Sequence, residues 1–145
     1  MSRLRIHLFG PFQVWRDDQL LASAAWPSHK ARQLLKILVT QRQWAVSSDA
    51  LMEWLWPDLS PESARNSLWV AVSRLRRLLE PESSSRGSST FILSESPGYR
   101  FSLAGQCEID VDAFLAHFRE GQEHQHRNEW AAAIAAYRAA EALYR

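Results

Sequence analysis

Between residues 63 and 79 the sequence carries four arginines, Arg65, Arg74, Arg76 and Arg77, and no aspartate or glutamate. Guanidinium forks hold phosphate oxygens and guanine edges through paired N–H donors, so the chemistry on offer is anion recognition rather than bond making. In the same stretch, ARNSLWVAVSRLRRLL, Asn66 supplies an amide that can bond adenine or phosphate. Trp69 and Val70 supply apolar surface of the kind that rests on a thymine methyl. Wound as a helix at about 100° per residue, Ala64, Leu68, Ala71, Val72, Leu75, Leu78 and Leu79 form one apolar stripe, which is the core face. Opposite it fall Asn66, Trp69, Val70, Ser73 and Arg77, with Arg76 beside them and Arg65 and Arg74 on the flanks. The plainer alternative is a solvated surface whose arginines pair with Glu62 and Glu80, with Trp69 packed beneath a neighbouring element. The coincidence of arginines, amide and apolar side chains on one face favours contact with double-stranded DNA.

Two elements must position such a helix. Ser47 and Asp49 open an earlier helix over residues 47–56 that turns Leu51, Met52, Leu55 and Trp56 inward before Pro57 ends it. Ser60 caps the next helix and Pro61 fits its first position, so the two form a helix-turn-helix pair whose second member is the reader. After it, residues 91–93 and 99–103 read as strands around Ser94 to Gly98, a hairpin with a loop longer than two residues. That hairpin serves as a wing, with Tyr99 and Arg100 near its tip and Arg100 directed at phosphate or the minor groove. Between reader and hairpin, ESSSRGSST is a serine-rich loop unable to hold a packed core.

Short alternating runs over residues 4–21, broken at Gly10-Pro11 and at Arg16 to Gln19, predict a small antiparallel sheet. From Ser28 the period changes, and Ala31, Leu34, Leu35, Leu38 and Val39 define a helix to about Gln41. Beyond Asp112 two further helices follow. Phe114, Leu115 and Phe118 mark one, Trp130, Ala133, Ile134, Tyr137, Ala140, Ala142 and Leu143 the other, and Arg127-Asn128 the turn between them. Their spacing is that of a single tetratricopeptide-like hairpin, which predicts a front piece of a longer protein. The expected architecture is α+β: a winged helix-turn-helix domain over residues 1–106, then the first helical pair of a second domain over 107–145.

Composition narrows the alternatives. The 145 residues are 46% hydrophobic and 23% charged with a formal charge of +1, the balance of a folded chain whose basic face is local. No apolar run spans a membrane and no signal peptide opens the chain, which places it in the cytoplasm. The single Cys107 excludes an internal disulfide and reads as a half-buried thiol. No catalytic or cofactor motif is present. His117, Glu120 and His124 share a helix face that a metal would fit, but a wet helix surface is the better reading, so neither metal nor cofactor is assigned. For the seven tryptophans, only core filling offers itself. The rival function is a protein-interaction scaffold built on the carboxy-terminal helix pair, without sequence-specific DNA binding.

The order of SHKARQLLKILV, VSSDALMEWLWPD, SARNSLWVAVSRLRRLLE, PGYRF and IDVDAFLAHF resembles the SARP-type bacterial transcriptional activators over nearly the whole chain. In that family an OmpR/PhoB-type winged helix precedes a helical bacterial transcriptional activator domain. The resemblance implies a four-stranded sheet, a three-helix core and a carboxy-terminal hairpin. It carries the reader role to Asn66, Ser67, Val70, Ser73, Arg74 and Arg77 and the wing role to Tyr99 and Arg100. It also carries contact with RNA polymerase to the loop of Pro57, Asp58, Leu59, Ser60 and Pro61. The partners implied are promoter DNA, RNA polymerase and a second protomer on the DNA.

Overall fold

A computed structural model of the chain describes residues 2–82, 90–103 and 105–144, and the serine-rich loop lies, over residues 83–89, outside the described residues. The chain divides into two compact units: Met1–Arg3 with Leu21–Gln106, and Leu4–Leu20 with Cys107–Arg145. This division groups the amino-terminal strands with the carboxy-terminal helices. Hydrogen-bonded pairing across a sheet joins segments distant in sequence, which a linear reading of domains does not register.

The first unit holds three helices and a small sheet. Helix α1 (His29–Thr40) starts at Ser28, whose side chain accepts from the Ala31 N–H at 3.0 Å. Helix α2 (Ser48–Leu55) starts at Ser47, which accepts from the Ala50 N–H at 3.1 Å. Helix α3 (Pro61–Leu79) starts at Ser60, which accepts from the Ser63 N–H at 3.3 Å. Each cap satisfies a first-turn donor that the helix itself leaves without a partner. Leu34, Leu35 and Leu38 of α1, Leu51 and Leu55 of α2, and Leu68, Val72, Leu75 and Leu79 of α3 are buried together with Phe91, Ile92 and Phe101. These apolar stripes recur at three and four residues, so packing the three helices against one another hides all of them at once.

Strands β4 (Val46–Ser47), β5 (Ile92–Glu95) and β6 (Gly98–Phe101) make the sheet of this unit, in the order β4-β6-β5. β5 and β6 are antiparallel with Glu95 opposite Gly98, so only Ser96 and Pro97 connect them. The connection is therefore two residues, shorter than the sequence predicted. Ser94 and Glu95 look like loop residues because they are polar, yet they face solvent from a strand, and Glu95 accepts from Arg100 Nε at 2.7 Å. Gly98 is required here: a Cβ would collide with the backbone carbonyl of Val46 on β4. At the far end of α3, Glu80 is buried and its carboxylate accepts from the Thr90 N–H at 2.8 and 3.1 Å. Ser2 donates its hydroxyl to the Glu82 carboxylate at 2.8 Å; backbone hydrogen bonds, and this one after them, hold that carboxyl below its ordinary range.

The second unit pairs a sheet with two helices. Strands β1 (Arg3–His7), β2 (Gln13–Arg16) and β3 (Gln19–Leu20) run antiparallel, and β7 (Gln106–Ile109) adds to the β1 edge in the order β3-β2-β1-β7. Asp17 and Asp18 turn the chain from β2 to β3 at φ 50° and 68°, the left-handed pair of a type I′ two-residue hairpin. The four strands that the resemblance implied are thus completed by a segment far along the chain. Helix α4 (Asp110–His126) and helix α5 (Trp130–Leu143) pack as an antiparallel pair joined through Asn128 at φ 61°. Asp110 is buried, and its carboxylate accepts from the backbone N–H groups of Leu8 at 2.8 Å, Phe9 at 3.1 Å and Val111 at 2.8 Å.

The buried part of the contact between α4 and α5 is made by small residues, and the Tyr137 ring meets Phe118 at 5.6 Å beside it. Ala133, Ala136 and Ala140 are buried on α5, and a Cβ on the buried Gly121 of α4 would overlap the Tyr137 ring. Of the stripes read from the sequence, Leu115, Phe118, Trp130 and Ile134 are exposed. The core-filling account of the tryptophans is corrected as well. Trp44, Trp54, Trp69 and Trp130 are 57–64% exposed, and Trp15 stands half-buried between the His7 ring, 4.3 Å away, and the Arg5 guanidinium, 4.8 Å away.

Candidate nucleic-acid interface

On α3 the buried side chains are Ala64, Leu68, Ala71, Val72, Leu75 and Leu79, with Leu78 half-buried at the margin. Arg65, Asn66, Trp69, Arg74 and Arg77 are exposed, and Ser67, Val70 and Ser73 are half-exposed along the same side. Trp69 is 64% exposed, so the packing reading of that side chain does not describe this unit. The salt-bridge reading of the face does not describe it either. Glu80 is turned inward onto Thr90, and among the described residues no ion pair engages Arg65, Arg74 or Arg77. Three exposed guanidinium groups without an ion pair among the described residues, an amide and a bare indole on one helical face are suited to hydrogen-bonding an anionic, partly apolar surface.

Arg76 is placed differently from the other three. Its Nε and Nη2 donate to the Ile92 carbonyl at 3.1 and 3.0 Å, Nη2 also donates to the Ser94 hydroxyl at 2.9 Å, and the guanidinium lies 5.8 Å from the Tyr99 ring centroid. This arginine fastens the last turns of α3 to both strands of the hairpin, committing three of its five N–H donors there and leaving the Nη1 pair for a ligand. Nothing in the sequence distinguished it from Arg77, because the distinction depends on which arginine faces a strand that arrives 16 residues later. Tyr99 and Arg100 are half-exposed on β6, with the Arg100 Nε bound to Glu95. The connection between α2 and α3, Pro57, Asp58, Leu59, Ser60 and Pro61, is exposed throughout, and Leu59 closes it by donating its N–H to the Trp56 carbonyl at 3.3 Å.

A cleft of about 350 Å³ runs along α3 beside the start of α1, lined by Ser28 and Lys30 from one side and Asn66, Ser67, Val70 and Arg74 from the other. Sequence reasoning passed over Lys30, which stands 36 residues before Asn66 and carries no local mark of belonging to the same surface. In the second unit, His117 Nδ1 lies 3.8 Å from Glu120 and His124 Nδ1 lies 3.5 Å from Glu129, so the two histidines are directed to separate carboxylates. Among the described residues no three of His, Cys, Asp and Glu gather as a metal site, and no helix is long and apolar enough to cross a membrane.

A three-helix core with an arginine-rich second member of a helix-turn-helix pair and a hairpin behind it defines a DNA-binding transcription regulator domain. Residues 22–101 match the family described as "Transcriptional regulatory protein, C terminal", and the chain belongs to this OmpR/PhoB-type family, within its SARP-type regulators. It is 33% identical over 115 residues to the transcriptional regulatory protein EmbR of Mycobacterium tuberculosis, covering 79% of this chain and 28% of EmbR. To the regulatory protein AfsR of Streptomyces coelicolor it is 31% identical over 108 residues, covering 74% of this chain and 10% of AfsR. A solved structure of Mycobacterium tuberculosis EmbR, in complex with a low-affinity phosphopeptide, superposes with a TM-score of 0.80 at 30% identity, over 100% of this chain and 37% of that one. The chain thus spans about a quarter of the length of EmbR and less of AfsR.

Proposed function

We propose that this chain reads promoter DNA as a sequence-specific activator. Residues 1–106 act as the winged-helix DNA-binding domain, and 107–145 as the first helical pair of a tetratricopeptide-like activator domain. Helix α3 enters the major groove with Arg65, Asn66, Ser67, Trp69, Val70, Ser73, Arg74 and Arg77 facing the bases and the flanking phosphates. The β5–β6 hairpin acts as the wing, bringing Tyr99 and Arg100 to the adjacent backbone or minor groove. Arg76, assigned to DNA contact on sequence grounds, takes the role of setting the wing against the reader. The loop of Pro57, Asp58, Leu59, Ser60 and Pro61, or the helical pair, meets RNA polymerase. One α3 spans only a few base pairs, so useful specificity comes from two protomers on repeated half-sites.

The observation that carries this reading is the exposed set of Arg65, Asn66, Trp69, Arg74 and Arg77, without an ion pair among the described residues, opposite a buried stripe. The test is selection of duplexes from a randomised pool, followed by fluorescence anisotropy of selected and scrambled duplexes at two salt concentrations. Preferential, salt-sensitive binding of the selected duplex is expected. In the same assay Arg77→Ala should lose about 1–3 kcal/mol of binding with an unchanged melting temperature. Equal weak binding to both duplexes would overturn the reading. It would give the lead to the interaction scaffold, which the exposed Phe118, Trp130 and Ile134 of the helical pair favour.

A further inference from the structure

The cleft beside α3 brings together two cations from separate helices, Lys30 and Arg74. Both are exposed, and among the described residues neither has an ion pair or side-chain hydrogen bond. Among the described residues no carboxylate lines this cleft. The remaining polar groups are donors or can act as donors: the Trp56 indole, the Asn66 amide, the Ser67 hydroxyl, and the Ser28 hydroxyl, whose lone pair takes the Ala31 N–H and whose own hydrogen stays available. Two like charges held over one concavity repel each other, and an anion seated between them removes that cost. Arg74 and Asn66 already belong to the face assigned to the major groove, whose wall is the phosphate backbone.

From this arrangement we infer that Lys30 binds a DNA backbone phosphate, making the start of α1 a third element of the DNA interface beside α3 and the hairpin. The inference rests on the DNA-reading function above and extends it. Lys30 supplies a point charge to a phosphate oxygen and reads no base, so it contributes affinity and register rather than sequence preference.

The test is the salt dependence of binding by the whole chain to a mixed-sequence 20-base-pair duplex, comparing wild type with Lys30→Gln, Lys30→Arg and Lys36→Gln. Lys36 is exposed on the same helix outside the cleft, so its substitution changes net charge alone. Losing one phosphate contact should flatten the slope of log affinity against log salt by about one, uniformly across sequences. The expected result is that Lys30→Gln flattens the slope, Lys30→Arg restores it, and Lys36→Gln leaves it near wild type, all with wild-type melting curves. If wild type binds steeply and Lys30→Gln keeps the same slope, or Lys36→Gln flattens it equally, the assignment of Lys30 is overturned while DNA binding stands. If wild type shows no salt-dependent duplex binding, the DNA reading itself fails and this inference with it.

Discussion

The two helical regions of this chain use their apolar residues in opposite ways. In α1–α3 most of the leucines and valines are buried against one another, and the exposed face of α3 is given to arginine, asparagine and tryptophan. In α4–α5 the buried residues, the capping Asp110 aside, are alanine and glycine, while Leu115, Phe118, Trp130 and Ile134 stand in solvent. Large interlocking side chains make a core whose stability comes from area removed from water, and its outer face is then free to serve a ligand. Small residues instead let two backbones approach closely, and most of the large side chains flank the contact rather than fill it. A stripe of period 3.6 therefore has a different meaning in the two regions, although it looks the same as a string of letters.

The strongest way to break this comparison is to shorten one large residue in each region. Leu75→Ala, fully buried in α3, should lower stability by about 2–5 kcal/mol in chemical denaturation. Ile134→Ala on α5, 51% exposed, should stay within about 0.5 kcal/mol. Equal losses would mean that the two regions are built alike. Adding a methyl sharpens the contrast from the other side. Gly121→Ala gains roughly 1 kcal/mol of helix propensity, but its Cβ displaces the Tyr137 ring, so a net loss of about 1–2 kcal/mol is expected in thermal melts followed by circular dichroism. A stabilised variant would show that the close approach is not limiting.

A smaller effect is expected at Arg76, where the arginine-rich face and the hairpin meet. Arg76→Ala removes the donors to the Ile92 carbonyl and the Ser94 hydroxyl and should cost about 1 kcal/mol of stability. Hydrogen exchange at the β5 and β6 amides should speed up with it. Arg77→Ala should leave those amides unchanged, and similar exchange in both variants would erase the distinction drawn between the two side chains.

How far the sequence disclosed this depends on the range of the interaction. Helix α3 was legible to its boundaries because Ser60, Pro61 and the leucine stripe are local signals, and α1 and α2 were legible for the same reason. The outward position of Arg65, Trp69 and Arg77 followed from that period. What was not legible depends on distant partners: β7 joining the β1 edge, Ser94 and Glu95 extending β5, Arg76 turning to the hairpin, and Lys30 reaching the cleft beside Asn66. The membership of Gly121 in the helix contact was hidden for a related reason, since a glycine on an apolar face marks close approach only once the opposing ring is known.

Asp110 gives the second unit a history as well as a geometry. Its carboxylate satisfies the Leu8 amide from 102 positions away, and the edge strand that completes the same sheet arrives just before it. Synthesis proceeds from the amino terminus, so β1, β2 and β3 leave the ribosome long before β7 and Asp110 exist. The nearly continuous segment Leu21–Gln106 meanwhile holds most of what its own core needs. The order of assembly is set by connectivity: the arginine-bearing unit can form first, and the sheet that encloses it in sequence closes later, across a loop of about 100 residues.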